Sequence, residues 1–295
     1  MNSQHNIKTR KIFHKIHLKQ IKQSIGYKRI SNLFNHETLK LKRNYFQDKI
    51  CADFGCGSTG AGAFNLLKMK AKFVYLFDLN KHIIRSINTN LQRYKGKYQI
   101  DIGSLENTKY KNNYFDFILC QGVINHVNND LKCLKEIHRT LKKNGKFHLN
   151  VAGEGGLFTD FTIKTIRPEY KKNPIVKKFI NKIMYNNFDD YKIFFNKNLD
   201  KGSKKIFKFL SRFVDEDLFL TIQDRVLSPK QNTYNEKKLK KLLSRMGFKN
   251  IYRIKKKVKF KNIRRLLSPL YYNHDSEISR ALYGEGDLSL VMTKK

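Results

Sequence analysis

The sequence is poor in several residue types, and each shortage narrows what the protein can be. It contains no tryptophan, four prolines and four cysteines among 295 residues, and no cysteine pair has C-x-x-C spacing. The nine histidines lack H-x-x-x-H spacing, so the sequence predicts no metal centre. No apolar run approaches the length of a membrane span, and no apolar signal region stands at the start. We therefore expect reduced thiols in a cytoplasmic protein.

Acidic side chains are also scarce. The chain carries 61 basic and 24 acidic residues, a formal net charge of +37, and the excess is spread over its whole length. Lysine outnumbers arginine 47 to 14, whereas a nucleic-acid surface more often shows arginine in a confined patch. This favours solvated lysines that reflect overall composition. Attraction to an anionic partner is the alternative.

The first 36 residues contain no acid, and their apolar residues recur at roughly helical spacing among lysines. This pattern indicates a helix that docks on the edge of the domain. The alternative is a basic amphipathic arm that contacts an anionic membrane surface or nucleic acid. A second helix is predicted over 30–46.

The most informative segment is residues 50–67, ICADFGCGSTGAGAFNLL. An apolar run ends in an acid and is followed by a glycine-rich turn and a helix-like segment. The turn contains a literal G-x-G-x-x-G from Gly55 to Gly60, with Asp78 about twenty residues on, as in dinucleotide-binding enzymes. Asp53, however, precedes the first glycine by two residues. Its carboxylate would repel a pyrophosphate and hold a cationic ligand.

The D-x-G-x-G pattern formed by Asp53, Gly55 and Gly57 resembles motif I of the class I S-adenosylmethionine-dependent methyltransferases, of the type 11 group. Three later segments are similar in the same order, namely FVYLFDLN at 73–80, YFDFILCQGVINHV at 114–127 and LKKNGKFHLNV at 141–151. The resemblance implies S-adenosylmethionine as the cofactor. It also implies that Asp78 accepts hydrogen bonds from both ribose hydroxyls, since a carboxylate offers two oxygens.

The resemblance implies further contacts to the cofactor from Leu79, Leu105 and Gln121. The adenine-contacting acid of the family should fall at Ser104, where this chain departs from the pattern. A serine hydroxyl can still accept from the adenine amino group, but more weakly. Asp101, in a different register, is the alternative.

Alternating segments predict an α/β fold, a Rossmann-like and mostly parallel sheet with helices on both faces, plus a helical insertion after the fifth strand. We expect Asp130 to cap a helix over 130–142 and Thr233 to open a capping box. The predicted parts are an N-terminal helical extension (1–46), a cofactor-binding core (47–152), a helical acceptor-binding insertion or lid hinged near 153–156 (153–232) and the rest of the core (233–295). The predicted strands are 50–54, 73–77, 98–102, 115–120, 146–151, 248–254 and 287–292.

The acceptor is less well defined. The sequence lacks the N/D-P-P-Y/F motif of amide and adenine methylases and the Pro-Cys nucleophile of cytosine methylases. The methyl acceptor that remains is an oxygen, nitrogen or carbon atom of a small molecule. Nucleic acid is a less favoured acceptor. His126, just past the fourth strand, is the candidate catalytic base, unless it packs against or caps the next helix. Tyr234, Asp224, His274 and Tyr283 are candidates for the wall of the acceptor pocket.

The sequence alone is compatible with two other functions. A nicotinamide-dependent oxidoreductase shares the glycine-rich loop, but Asp53 and the segment 115–127 count against it. A non-enzymatic, basic RNA-binding protein could retain the methyltransferase fold, because a fold does not fix a function.

Overall fold

The structure, a computed structural model, describes residues 4–23, 35–185, 193, 196–210, 223–256, 269–272 and 275–295. These residues include a seven-stranded sheet in which only the last strand runs antiparallel to its neighbours. The strands are β1 (Ile50–Phe54), β2 (Phe73–Asp78), β3 (Tyr98–Ile102), β4 (Phe115–Gln121), β5 (Leu141–Ala152), β6 (Phe248–Arg253) and β7 (Asp287–Lys294).

The strand order is β3-β2-β1-β4-β5-β7-β6. The predicted α/β, Rossmann-like fold is therefore confirmed. The order reverses direction between β1 and β4, and in open α/β sheets ligands bind at the carboxyl ends of the strands beside such a reversal. This rule directs attention to the ends of β1, β2 and β4.

Helices cover the sheet and extend from it, and none in the described part of the chain is long and apolar enough to cross a membrane. A π-helical segment, Phe161–Ile166, joins two of them, and 3-10 turns flank a third at Lys81–Ile83 and Gln92–Tyr94. The helices are α1 (Gln4–Gln23), α2 (Ala61–Lys68), α3 (Ile84–Asn90), α4 (Asp130–Thr140), α5 (Leu157–Asp160), α6 (Arg167–Lys172), α7 (Pro174–Tyr185), α8 (Lys201–Leu210), α9 (Glu236–Arg245) and α10 (Glu277–Tyr283).

Two apolar clusters hold the layers together, one on each face of the sheet. On one face, α4 and α9 contribute Leu134, Ile137 and Leu243, which pack against strand residues such as Phe147. On the other face, α2 and α3 contribute residues such as Leu66 and Ile87. Burying both faces of the sheet accounts for the near-continuous apolar runs of its central strands.

Both predicted helix caps are wrong by one or two residues. The cap of α4 is Asn129, whose side-chain oxygen accepts from the backbone N–H of Lys132 at 2.9 Å. The cap of α9 is Asn235, which accepts from Lys238 at 3.1 Å. In both places an asparagine in extended conformation reaches the third helical N–H, so no Thr233 capping box forms.

The structure also corrects two predicted helices. The helix predicted over 130–142 ends at Thr140, because Leu141 already pairs with Phe115 as the first residue of β5. The helix predicted over 30–46 is not present from residue 35 onward, where the chain forms turns. Leu39 and Phe46 from these turns are fully buried and pack against the α2 face of the sheet.

The described residues of the insertion after β5 are mainly helical, as predicted, and some of them form a small core of their own. Arg167 is buried, and its guanidinium donates to the carbonyls of Arg225 at 2.8 Å and Ser228 at 2.6 Å. Val226 and Leu227 form an apolar cluster with Ile166, and Ile12 of α1 packs on the same cluster. Helix α1 therefore contacts the insertion as well as the core.

The predicted hinge at 153–156 is held by hydrogen bonds. The Gly153 N–H donates to the Gly286 carbonyl at 2.8 Å, and Glu154 donates to the Tyr234 carbonyl at 3.0 Å. A Cβ on Gly156 would lie 2.1 Å from the backbone nitrogen of Gly284. Glycine is thus required here for close backbone packing, and the segment is clamped to its neighbours.

Candidate active site

A cavity of about 250 Å³ lies at the carboxyl ends of β1, β2 and β4 and is roofed by α1. Its walls come from the turn after β1, from the residues after β2, β3 and β4, and from one face of α1. No residue of the insertion lines it within the part of the chain that the structure describes. The sequence-predicted residues on its walls are Asp53, Gly55, Gly57, Asp78, Leu79, Ser104, Leu105, Gln121 and His126.

The turn after β1 depends on glycine. Gly55, Gly57 and Gly60 have φ angles of 76°, 60° and 59°, in the left-handed region that side chains disfavour. A Cβ on Gly55 would also lie 2.1 Å from the side chain of Val123. Residues without side chains adopt these conformations most readily, and the backbone of Gly55 and Gly57 lines the cavity.

Asp78, at the end of β2, is held with both carboxylate oxygens oriented. One oxygen accepts from the N–H of Gly57 at 3.0 Å, and the other accepts from the N–H of Asn80 at 2.9 Å. Each oxygen keeps a further lone pair beside the cavity. This arrangement suits a ligand with two neighbouring hydroxyl groups.

Asp53, at the end of β1, is a buried carboxyl. Its side chain is 3% exposed, and one oxygen accepts from the N–H of Ala63 at 2.9 Å. Burial raises the pKa of Asp53 to about 7; the Ala63 hydrogen bond lowers it and the charge of Asp78 adds to the rise. In the free protein the carboxylate is thus an unfavourable charge that a cationic ligand would stabilise.

The remaining predicted contacts occupy the walls of the same cavity. Ser104 lines it, and its hydroxyl oxygen lies 3.5 Å from the side-chain nitrogen of Asn6 and accepts from the N–H of Glu106. Asp101 instead accepts from the hydroxyl of Tyr110 and does not line the cavity, so the structure favours Ser104. The Gln121 side-chain nitrogen is buried without a hydrogen-bond partner. An unpaired donor of this kind suits a ligand acceptor group.

His126 lines the cavity, but both of its ring nitrogens are engaged. Nδ1 lies 3.0 Å from the carbonyl oxygen of Lys230, and Nε2 lies 3.1 Å from a carboxylate oxygen of Asp224. Burial lowers the pKa of His126, but Asp224 and the Lys230 carbonyl outweigh that effect and raise it overall. Both partners are acceptors, so the contacts favour the protonated ring. This favours a packing role over that of a general base.

The roof of the cavity is the feature that sequence reasoning missed. Residues Asn6, Thr9, Arg10, Phe13 and His17 recur at helical spacing and all face the cavity. The apolar stripe of α1 predicted that the helix docks, but not that its polar face covers the cavity. The signal was an aromatic residue and a histidine at positions i and i+4, Phe13 and His17, on the side of the helix opposite to most of its lysines.

The acceptor-wall candidates have other roles. The hydroxyl of Tyr234 donates to Asp130 at 3.0 Å, and the ring of Tyr283 packs on Phe158. Asp224 pairs with His126 from the insertion side. None of the three lines the cavity. His274 lies outside the described residues.

Comparison with known proteins identifies the domain. A family described as "Methyltransferase domain" matches residues 52–149. The match covers 98 of the 295 residues. The resemblance to the class I S-adenosylmethionine-dependent methyltransferases is therefore confirmed, and S-adenosylmethionine is the cosubstrate of that family. The matched range contains β1 to most of β5, and thus every strand end at the cavity.

Two curated proteins are similar to parts of the chain. An uncharacterized protein of Methanocaldococcus jannaschii is 34% identical over 139 residues, 44% of this chain and 56% of that protein. A tRNA U34 carboxymethyltransferase of Campylobacter fetus is 29% identical over 104 residues, 35% of this chain and 36% of the enzyme. The chain thus matches about half and about a third of the length of these relatives.

Among solved structures, a chain from the complex of the Haloferax volcanii Trm112 methyltransferase activator with a candidate methyltransferase is similar in fold. The TM-score is 0.53 at 10% identity, and the similarity covers 96% of this chain and 97% of the other. At this identity the likeness concerns the fold alone.

Proposed function

We propose that this protein transfers the methyl group of S-adenosylmethionine to a small acceptor bound in the cavity under α1. The observation that carries the proposal is the geometry of Asp78, whose two oriented oxygens stand beside the glycine turn. The unpaired amide of Gln121 and the buried carboxyl of Asp53 add a donor and an anion on the same walls. Together these groups match a ligand that carries a diol, a carboxylate and positive charge.

The chemistry expected of the site is a direct displacement. When bound, S-adenosylmethionine supplies an activated methyl group. In such a displacement the lone pair of the acceptor atom would form the new bond to the methyl carbon as the carbon–sulfur bond breaks, S-adenosylhomocysteine would be the leaving group, and the proton of an acceptor N–H or O–H would pass to solvent when the products leave. The work of the chain is to orient both ligands and to exclude water.

That His126 acts as a general base remains a prediction. The Lys230 carbonyl and the Asp224 carboxylate disfavour this role, because they occupy both ring nitrogens. We propose instead that His126 fixes the geometry of the cavity wall. It joins the core to the insertion through Asp224 and Lys230, and to α1 through the ring of Phe13, 5.0 Å from its own ring centre.

The enclosed position of the cavity supports a small acceptor. The apolar side of α1 packs inward, with Ile16 5% exposed and Ile12 against the insertion, so the docked helix leaves little apolar surface for a membrane. From the sequence we predicted that residues 153–232 form the lid. We now propose that α1 is the lid, because α1 covers the cavity. The insertion supports the lid from behind. Two further predictions remain part of the proposal. One is the division of the chain into the parts 1–46, 47–152, 153–232 and 233–295, and the other is a cytoplasmic location.

A tRNA acceptor is the second candidate, on the strength of the Campylobacter fetus relative and the charge of +37. Radiolabelled methyl donor, offered with a small-molecule extract and separately with total tRNA, distinguishes the two. We expect label in the small-molecule fraction with the natural chain and much less of it with the Asp78→Ala variant at the same concentration of methyl donor. Label confined to tRNA at physiological salt would replace the small-acceptor proposal.

A further inference from the structure

Helix α1 brings a histidine to the cosubstrate side of the cavity. His17 lies three turns into α1, is buried, and lines the cavity beside the glycine turn. Its Nε2 atom is 3.8 Å from the position that a Cβ would take on Gly57. No other side chain of α1 lies this close to the turn among the contacts that surround Gly57. His17 is therefore placed against the cosubstrate rather than at the outer rim.

The hydrogen bonds around His17 fix its protonated nitrogen. The side-chain oxygen of Asn80 accepts from the N–H of His82 at 3.1 Å, which orients the Asn80 amide. The Asn80 side-chain nitrogen then points at Nδ1 of His17, 3.2 Å away. An amide nitrogen only donates, so Nδ1 must accept and the proton must be on Nε2. The imidazole thus presents an N–H donor at the Gly57 turn.

The neighbours of the ring are consistent with a neutral imidazole. Burial lowers the pKa of His17, Asp78 raises it, His14 lowers it and Asp224 raises it, and the net direction is downward. Protonation of Nδ1 would place two donors, Nδ1–H and the Asn80 amide, face to face. The hydrogen bond from Asn80 that orients the ring therefore exists only while the ring is neutral.

We propose that His17 is a cosubstrate-binding residue that donates from Nε2 to an oxygen of S-adenosylmethionine and so holds α1 closed over the occupied site. The oxygen is a ribose hydroxyl or the amino-acid carboxylate, the two acceptor classes that a ligand at Asp78 and the Gly57 turn would present. The inference rests on the proposed function, because it requires this cosubstrate in this cavity.

One consequence is a coupling between ligand and lid. Besides its contacts with the insertion, α1 is tied to the core by His5, which donates to the His126 carbonyl at 2.8 Å, and by the contact of His17 with Asn80. A bond from His17 to the cosubstrate adds a tie that exists only when the cosubstrate is bound. The cosubstrate should then slow amide hydrogen exchange in α1.

Calorimetry with S-adenosylhomocysteine on the full chain tests the proposal. His17→Leu removes the donor and keeps apolar bulk, and we expect affinity to fall roughly tenfold, as for the loss of one hydrogen bond. His17→Gln can place its side-chain nitrogen where Nε2 of His17 lies in the natural chain and donate from there, so we expect its affinity to stay within about threefold of the natural chain. The matched control is His14→Leu, one turn earlier, where the ring packs on His82 outside the cavity; we expect no change.

Two further readouts separate this role from a purely structural one. Once the pH falls below the lowered pKa of His17, the natural chain should lose more affinity than His17→Gln, because only the natural chain has a ring to protonate at this position and protonation breaks its contact with Asn80. With 5′-methylthioadenosine, which keeps the ribose and lacks the amino-acid part, the effect of His17→Leu persists if the acceptor is the ribose. It disappears if the acceptor is the carboxylate.

The outcomes are distinct. If the natural chain binds no S-adenosylhomocysteine, the proposed function fails. If the natural chain binds it and His17→Leu binds equally well, or if His14→Leu weakens binding as much as His17→Leu, the inference about His17 is overturned. Should His17→Leu fold poorly in a thermal melt, His17→Asn replaces it, because the shorter amide can take the place of Nδ1 but not that of Nε2; equal affinity of His17→Asn and the natural chain would then refute the proposal.

Discussion

Asp53→Asn should make the free protein more stable at alkaline pH while it weakens binding of the cosubstrate. The reason is the buried carboxyl at the end of β1, whose pKa burial raises from 3.8 to about 7. A carboxyl with a raised pKa contributes stability that is present below its unfolded pKa and lost as the pH rises through its folded pKa. Asparagine resembles the protonated form and never ionises.

The magnitude follows from linkage. A pKa displaced from 3.8 to about 7 corresponds to about 4 kcal/mol at about 1.4 kcal/mol for each pH unit. The amide oxygen of asparagine can still accept from the N–H of Ala63, so the local hydrogen bond survives. The stability of Asp53→Asn relative to the natural chain should therefore rise by up to about 4 kcal/mol between pH 4 and pH 8.

The assay is denaturant unfolding of both proteins at several pH values, with calorimetric titration of S-adenosylhomocysteine at pH 8. We expect the difference in unfolding free energy to grow steadily between pH 4 and pH 7 and then to level off. Affinity should fall by about one to two orders of magnitude, since a hydrogen bond to a charged group contributes roughly 1.5–3 kcal/mol. A pH-independent stability difference, or unchanged affinity, would refute the reasoning about Asp53.

Three other changes test neighbouring parts of the site. Asp78→Ala should weaken S-adenosylhomocysteine binding by about one to two orders of magnitude in calorimetry, through loss of charged hydrogen bonds, and a smaller change would contradict the diol assignment. Gly55→Ala should abolish binding and lower the melting temperature, because its Cβ would lie 2.1 Å from Val123, and normal binding would show that the turn can rearrange. His126→Gln should destabilise the fold most below about pH 6.5 and progressively less as the pH rises through the raised pKa of His126, since its cationic pairing with Asp224 is then lost; a pH-independent loss in denaturant unfolding would argue against that ion pair.

The central sheet could be predicted closely from local patterns. Short apolar runs located β1, β2, β4, β5 and β7, and β1 and β3 begin and end where the sequence predicted. The start of β5 was missed because Lys142, Lys143 and Asn144 are polar, yet they extend the strand at its exposed end. Exposed strand ends follow pairing rather than hydrophobicity, which a local pattern does not show.

The site could be predicted only where one segment supplies the geometry. The turn at Gly55 and the carboxylate of Asp78 belong to contiguous motifs. The roof does not, since His5 and its partner His126 are 121 residues apart in sequence. In the same way, the pKa of His126 is raised by Asp224 from the insertion, which no local pattern connects to it.

Calorimetric titration of the natural chain with S-adenosylmethionine, S-adenosylhomocysteine and NAD, side by side, tests most directly whether this cavity is a methyl-donor site. We expect one molecule of S-adenosylmethionine or S-adenosylhomocysteine to bind per chain, and no measurable heat with NAD, because a pyrophosphate would meet the carboxylates of Asp53 and Asp78. Tight binding of NAD with no response to either S-adenosyl compound would contradict this assignment and support an oxidoreductase.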